Sequence, residues 1–208
     1  MAVNALERYR VVRDTTWRQS RQLSWIKKIA LSLGVACLIG LLAQTRILLP
    51  WSPVPITGQT FGVFIGAILL GQWWGGVSLA FYVGLGIAGV HWFNGGTGGL
   101  AAVVGPTGGY LIGFILAALF LGYFVDKYVK ARSFGILLGL MLFADLVFVF
   151  VPGLLQLHFW LGSAGKNTIG FYQLLTMGLL PFIPGEIIKA TAGAGAAWAL
   201  SPKKESRE

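Results

Sequence analysis

A chain of 208 residues that is 56% hydrophobic and only 11% charged is too apolar for an ordinary soluble domain, where about a quarter of residues carry charge. Its net charge of +9 raises nucleic acid as a partner, but the placement of the charges excludes it. Seven basic residues lie in "ERYRVVRDTTWRQSRQ" and the following "KK", ahead of the main hydrophobic run and with only Glu7 and Asp14 among them; such a stretch reads as a basic segment (1–25) facing anionic lipid on the cytoplasmic side.

The elements are predicted as follows. A spanning helix needs about 20 mostly apolar residues. The first is 26–43, "IKKIALSLGVACLIGLLA", with its two lysines snorkelling to the interface. Its polar approach and full length predict a retained span and no cleavable leader. The single cysteine, Cys37, excludes an internal disulfide and reads as a small core or lipid-facing residue. The second segment, 61–74, is shorter than a span, so it borrows residues from the preceding loop or is partly re-entrant. Segments 75–93 and 110–125 follow. Segment 134–155 contains Pro152, which should end or kink it. The last, 174–200, is broken near its start by Pro181 and Pro184. The expected fold is therefore an all-α integral membrane protein of six transmembrane helices in one membrane domain (26–200), with a short C-terminal tail (201–208) and no separate soluble domain.

The lysines and arginines test that count. Six spans with both termini cytoplasmic put thirteen of the sixteen inside: seven in the N-terminal segment, then Lys127, Lys130, Arg132, Lys203, Lys204 and Arg207. Arg46 and Lys166 fall outside, and Lys189 lies within a span. Cytoplasmic enrichment of this kind is what membrane insertion selects, and one missed helix would scramble it.

Catalytic motifs are missing where they would be needed. There is no phosphate-loop motif, no HExxH and no CxxC; the spacing around Ser163 does not fit a nucleophile elbow; and His91 and His158 read as interfacial residues, too few for a metal site. The chain is expected to be neither an enzyme nor a metal or cofactor protein. What remains is polarity inside the membrane: Asp145, Glu186 and Lys189. Charged residues at bilayer depth are expensive and default to function. Glu186 and Lys189, three apart, share a helix face just after Pro184 and Gly185. They either staple the bundle to each other or hold a polar ligand. Asp145 can hydrogen-bond across helices, join that cluster or line a cavity; it is taken as a residue backing the site. The loop "WSPVPITGQT" offers Thr57 and Gln59, "FNGGTGG" offers Asn94, and Tyr82, Trp92 and Phe93 offer aromatic walls. Irregular backbone at membrane depth is tolerated only where buried or lining a cavity, so a small pocket near the outer face is expected.

The motifs "PVPITGQTFGVFIGAILLG", "GGTGGLAAVVGPTGGYLIGF" and "LPFIPGEIIKA", in that order, closely resemble the BioY family, the biotin-specific substrate-binding (S) subunits of energy-coupling-factor (ECF) vitamin transporters. The likeness runs from about residue 30 to 200. It implies a plasma-membrane protein that binds biotin near the extracellular face, with no ATPase of its own, and that works with a transmembrane coupling subunit and ABC-type ATPases. The family's acid–lysine pair falls on Glu186 and Lys189, with glutamate where aspartate is usual; its polar loop residue falls on Asn94, and its small-residue docking face on Ala30, Gly34, Ala36 and Gly40. Expected ligand contacts are thus Glu186, Lys189, Asn94, Gln59, Thr57, Tyr82, Trp92 and Phe93. The alternatives are an S subunit for another small vitamin and, more remotely, a membrane enzyme acting on a lipid or acyl substrate with Glu186 as base.

Overall fold

The computed structural model describes residues 5–163, 165 and 169–202; Lys166, Lys203, Lys204 and Arg207 lie outside the described residues. The protein is mostly helical. A long apolar chain with no water to satisfy its backbone has helices as its natural solution. The order is α1 (Ala5–Gln22), α2 (Trp25–Gln44), α3 (Gln59–Ile87), α4 (Leu100–Val104), α5 (Gly108–Lys127), α6 (Phe134–Ala144), α7 (Val151–Ser163), α8 (Phe171–Gly178) and α9 (Ile183–Leu200). A two-residue hairpin pairs β1 (Arg46–Ile47) with β2 (Ile56–Thr57) in the α2–α3 connection. Helix α5 lies at the centre, against α3, α7 and the residues joining α6 to α7, while α9 packs on α6 and α3, and α2 on α3. Among the described residues, four helical stretches are long and apolar enough to cross a membrane, or five if α8 and α9, bent by 45° at residues 179–182, form one broken span.

Helix α3 is a hairpin. Gly71 has φ 81° and ψ −174°, outside helical space, and the two halves fold back on each other. The side chains of Gln59 and Tyr82 hydrogen-bond at 2.8 Å, although on a straight helix they would stand about 34 Å apart. A Cβ on Gly75 would lie 2.9 Å from the Cα of Ala67, so the small residues near the turn let the halves approach. The break expected at residues 74–75 thus falls at Gly71. The second half also ends at Ile87, earlier than expected: the chain turns off at Gly89, φ 110°, and carries Phe93 back onto the bundle.

The basic N-terminal segment is helix α1, seated on the end of the bundle away from the hairpin strands. Trp17 is buried with the guanidinium of Arg21 on its ring at 4.6 Å and that of Arg132 at 5.1 Å. Arg21 pairs with Asp126 at 2.7 Å and donates to the carbonyl of Ile68, and Asp126 accepts the backbone N–H of Gln72 at 2.8 Å. Two chain segments far from α3 therefore satisfy the backbone groups exposed by its turn. Glycine is favoured there because φ 81° is a conformation that residues with a Cβ rarely adopt; the Arg21 guanidinium also occupies the space a Cβ would take, 1.7 Å from it.

Pro152 does not end its helix. Residues Asp145–Phe150 form a π turn, and the helix runs on from Phe134 to Ser163. The wider turn re-registers the backbone just ahead of the proline, which cannot bond to the preceding turn.

Gly71→Ala is expected to destabilise the protein by about 1–3 kcal/mol from backbone strain alone, with a further steric part that Arg21→Ala relieves. Thermal unfolding of both single variants and the double variant in detergent checks this; the double variant should lose less than the sum.

Candidate functional site: a polar-lined cavity at one end of the bundle

The first turns of α9 carry the ionisable pair. Pro184 stands at the second position of the helix, where its missing N–H costs nothing, and Glu186 follows in the first turn, where the helix dipole favours an anion. Lys189 Nζ donates to Glu186 Oε1, to the carbonyl of Thr57 at 2.8 Å and, at 3.5 Å, to Thr60 Oγ1. Thr60 in turn donates to Glu186 Oε1 at 3.4 Å. Thr57 and Thr60 bracket the start of α3, so Lys189 joins α9 to the hairpin-strand loop and to α3 at once. Glu186 is 6% exposed, and its second oxygen, Oε2, has no hydrogen-bond partner among the described residues.

A second polar chain runs from the same loop into the aromatic cluster. Thr57 Oγ1 donates to Gln59 Oε1 at 2.8 Å, Gln59 Nε2 donates to Tyr82 Oη at 2.8 Å, and Tyr82 Oη donates to the carbonyl of Trp92 at 3.3 Å. Trp92 Nε1 returns a bond to the carbonyl of Tyr82 at 2.9 Å. Tyr82 is fully buried, edge-on to Phe93 with centroids 5.3 Å apart. Phe93 lies flat over Gly86, where a Cβ would come within 2.1 Å of its ring. Gln44, at the end of α2, clamps the following loop from outside: Nε2 donates to the carbonyls of Trp92 and Phe93 at 3.2 and 3.1 Å, and Oε1 accepts the N–H of Gly96 at 3.0 Å.

These elements surround a small cavity that opens to one end of the bundle. Of the residues expected from the sequence, Thr57, Gln59, Phe93, Asn94, Asp145 and Glu186 line it. Lys189 does not: its ammonium is committed to Glu186 and Thr57 and holds the carboxylate in place. Tyr82 and Trp92 also stand behind the wall, Tyr82 propping Gln59 and Trp92 tied to Tyr82. Sequence reasoning passed over Tyr110, Phe114, Phe150 and Phe182, which supply much of the apolar lining; spread over three elements, they carry no local pattern. It passed over Gln44 too, whose one signal is a lone amide at the end of an apolar span. The expected docking residues divide. Ala30 and Gly34 face outward, while Ala36 and Gly40 are buried, with Gly40 against Trp92; the inward pair is therefore spent on packing within the chain.

Comparison with known proteins gives concordant similarities. The model of the BioY family matches residues 14–205. The probable biotin transporter BioY of Methanothermobacter thermautotrophicus is 47% identical over 140 residues, covering 67% of this chain and 89% of that protein. The biotin transporter BioY of Thermotoga maritima is 36% identical over 146 residues, 70% of this chain and 80% of that one. The crystal structure of the S-component for biotin from an ECF-type ABC transporter matches with a TM-score of 0.73 at 28% identity, over 84% of this chain and 90% of that chain.

Tyr82→Phe removes the acceptor for Gln59 and the donor to the Trp92 carbonyl. Leaving buried groups unpaired costs about 1–3 kcal/mol, so its melting temperature in detergent should fall clearly below that of the parent.

Proposed function

The chain belongs to the BioY family, and on that premise we propose that it captures biotin as the S subunit of an ECF-type transporter. The observation that carries this reading is the cavity itself, with Glu186 held rigidly by Lys189 and presenting an unpaired oxygen to it. Biotin has a planar ureido group with two N–H donors and one carbonyl, a thioether ring and an aliphatic tail ending in a carboxylate. Glu186 accepts from a ureido N–H. Thr57, Gln59 and Asn94 meet the remaining polar atoms, and Phe93 with the other ring-bearing walls covers the fused rings. Lys189 acts through Glu186, and Tyr82 and Trp92 act by positioning Gln59 and Phe93. A lining that is mostly apolar with a few fixed polar groups is the composition expected of a site for a small polar vitamin.

The chain sits in the plasma membrane and crosses it several times. Six crossings count the two halves of α3 separately and α8 with α9 as one broken span. The turn at Gly71 and the bend at 179–182 support that count. Both termini then face the cytoplasm, which puts Arg21, Lys127, Lys130 and Arg132 on the inner side, as the positive-inside rule favours, with the cavity toward the outside. The membrane domain of 26–200 and the basic segment of 1–25 follow the same division, with α1 lying along the inner interface. A transmembrane coupling subunit and ABC-type ATPases complete the transporter, and Ala30 and Gly34 are the small residues on α2 open to such a partner. The chain carries a ligand and needs no cofactor; it is not an enzyme.

Calorimetric titration of biotin into ligand-stripped, detergent-purified protein tests this, alongside Lys189→Ala. The parent should bind tightly. The variant leaves Glu186 without its counter-charge, a loss of about 2–5 kcal/mol for a buried charge pair, so its affinity should fall at least about 30-fold. A folded parent that does not bind biotin would falsify the assignment.

A further inference from the structure

The cavity contains a second carboxylate, and no described residue hydrogen-bonds to it through Oδ1. Asp145 is 3% exposed, lines the cavity with Glu186, and its Oδ1 has no hydrogen-bond partner among the described residues. The lysine that holds Glu186 is already occupied there and at Thr57. Asp145 is also the first residue of the π turn Asp145–Phe150. That wider turn brings Asp145, Val149 and Phe150 to the cavity together, a combination that regular α-helical spacing does not favour. Single π turns inside α-helices occur mostly at functional sites. An aliphatic side chain at this position would avoid burying an unpaired acceptor, so packing alone does not account for aspartate.

We infer that Asp145 contacts the ligand directly, as a second acceptor beside Glu186, instead of backing the site from behind. This rests on the biotin reading and sharpens it. The two unpaired oxygens, Glu186 Oε2 and Asp145 Oδ1, match in number the two N–H donors of a cyclic urea. Each carboxylate takes one ureido nitrogen. The site thereby selects ligands with two such donors over those in which either nitrogen is blocked.

The test uses the full chain in detergent, stripped of ligand, with three probes: biotin and its two isomers singly methylated on one or the other ureido nitrogen. Asp145→Asn, which can turn an amide toward the ligand where an oxygen stood, should weaken biotin binding roughly 10- to 100-fold, the loss expected when a buried hydrogen bond is left unmade. Asp145→Ala, which opens space for a methyl group, should shrink the preference for biotin over one isomer and leave the preference over the other intact. The same Ala variant should melt no lower than the parent without ligand, because it removes an unsatisfied buried group. Unchanged biotin affinity in the Asn variant, with unchanged discrimination in the Ala variant, overturns the inference and leaves the biotin reading standing. A lower ligand-free melting temperature with unchanged discrimination also overturns it, by making Asp145 structural. A parent that binds no biotin removes the reading and this inference together.

Discussion

Lys189 ties together three parts of the chain: the start of α9 through Glu186, the hairpin-strand loop through the Thr57 carbonyl, and the start of α3 through Thr60. Glu186 and Thr60 are buried and Lys189 and Thr57 partly so, and a buried group left unpaired is costly. A lysine near a helix N-terminus is itself disfavoured by the dipole, so its position makes sense only because three oxygens converge on it. Take that convergence away and Glu186 is left as a buried, unpaired charge, while the loop carrying Thr57 and Gln59 loses its tether. The walls of the cavity inherit their order from this one ammonium group.

The polar chain from Thr57 through Gln59 and Tyr82 to Trp92 extends that order to the aromatic side. Each member is fixed by the next, and Gln44 fixes the last from outside the cavity. Asn94 follows immediately, in the 3-10 turn Asn94–Gly96, so it sits on a loop held at both its carbonyls and one N–H. Irregular backbone here is held at the Trp92 and Phe93 carbonyls, the Phe93 and Gly96 N–H groups and the Thr97 carbonyl. Rigidity of this kind lowers the ordering cost of binding.

The sequence was informative where one local run carries the physics. The apolar segments 26–43 and 110–125 fall within a turn of α2 and α5, and the prolines before Glu186 mark the start of α9, whereas the spans expected to end at 93 and 155 end at Ile87 and Ser163. Thr57, Gln59, Asn94 and Glu186 reach the cavity because they lie in polar or glycine-rich breaks between apolar runs, where side chains have few other uses. Where tertiary partners decide, local pattern failed. "GQWWGG" has three glycines, and the turn falls at Gly71, where Asp126 accepts the N–H of Gln72 and Arg21 donates to the carbonyl of Ile68, partners too distant in sequence for a local pattern to show. Tyr82 and Trp92 were read as walls and stand behind one, since α3 ends at Ile87 and not six residues later. Pro152 was read as ending or kinking its helix; the helix runs on past it by way of a π turn, for which hydropathy has no signature.

Proline, π turn and Asp145 belong to one arrangement. A proline inside a span leaves its helix one hydrogen bond short, and a π turn ahead of it is one way for the backbone to re-register without ending the helix. The same re-registration swings the first residue of the turn toward the bundle interior, which is where an aspartate is most costly without a partner. Its neighbours Val149 and Phe150 meanwhile close the apolar side of the cavity, and Phe150 stacks edge-on against both Tyr110 and Phe182. One backbone distortion is thus shared between closing an apolar wall and setting a buried carboxylate into the cavity lining. Its Oδ1 has no hydrogen-bond partner among the described residues, a cost that the packing of the wall does not by itself offset.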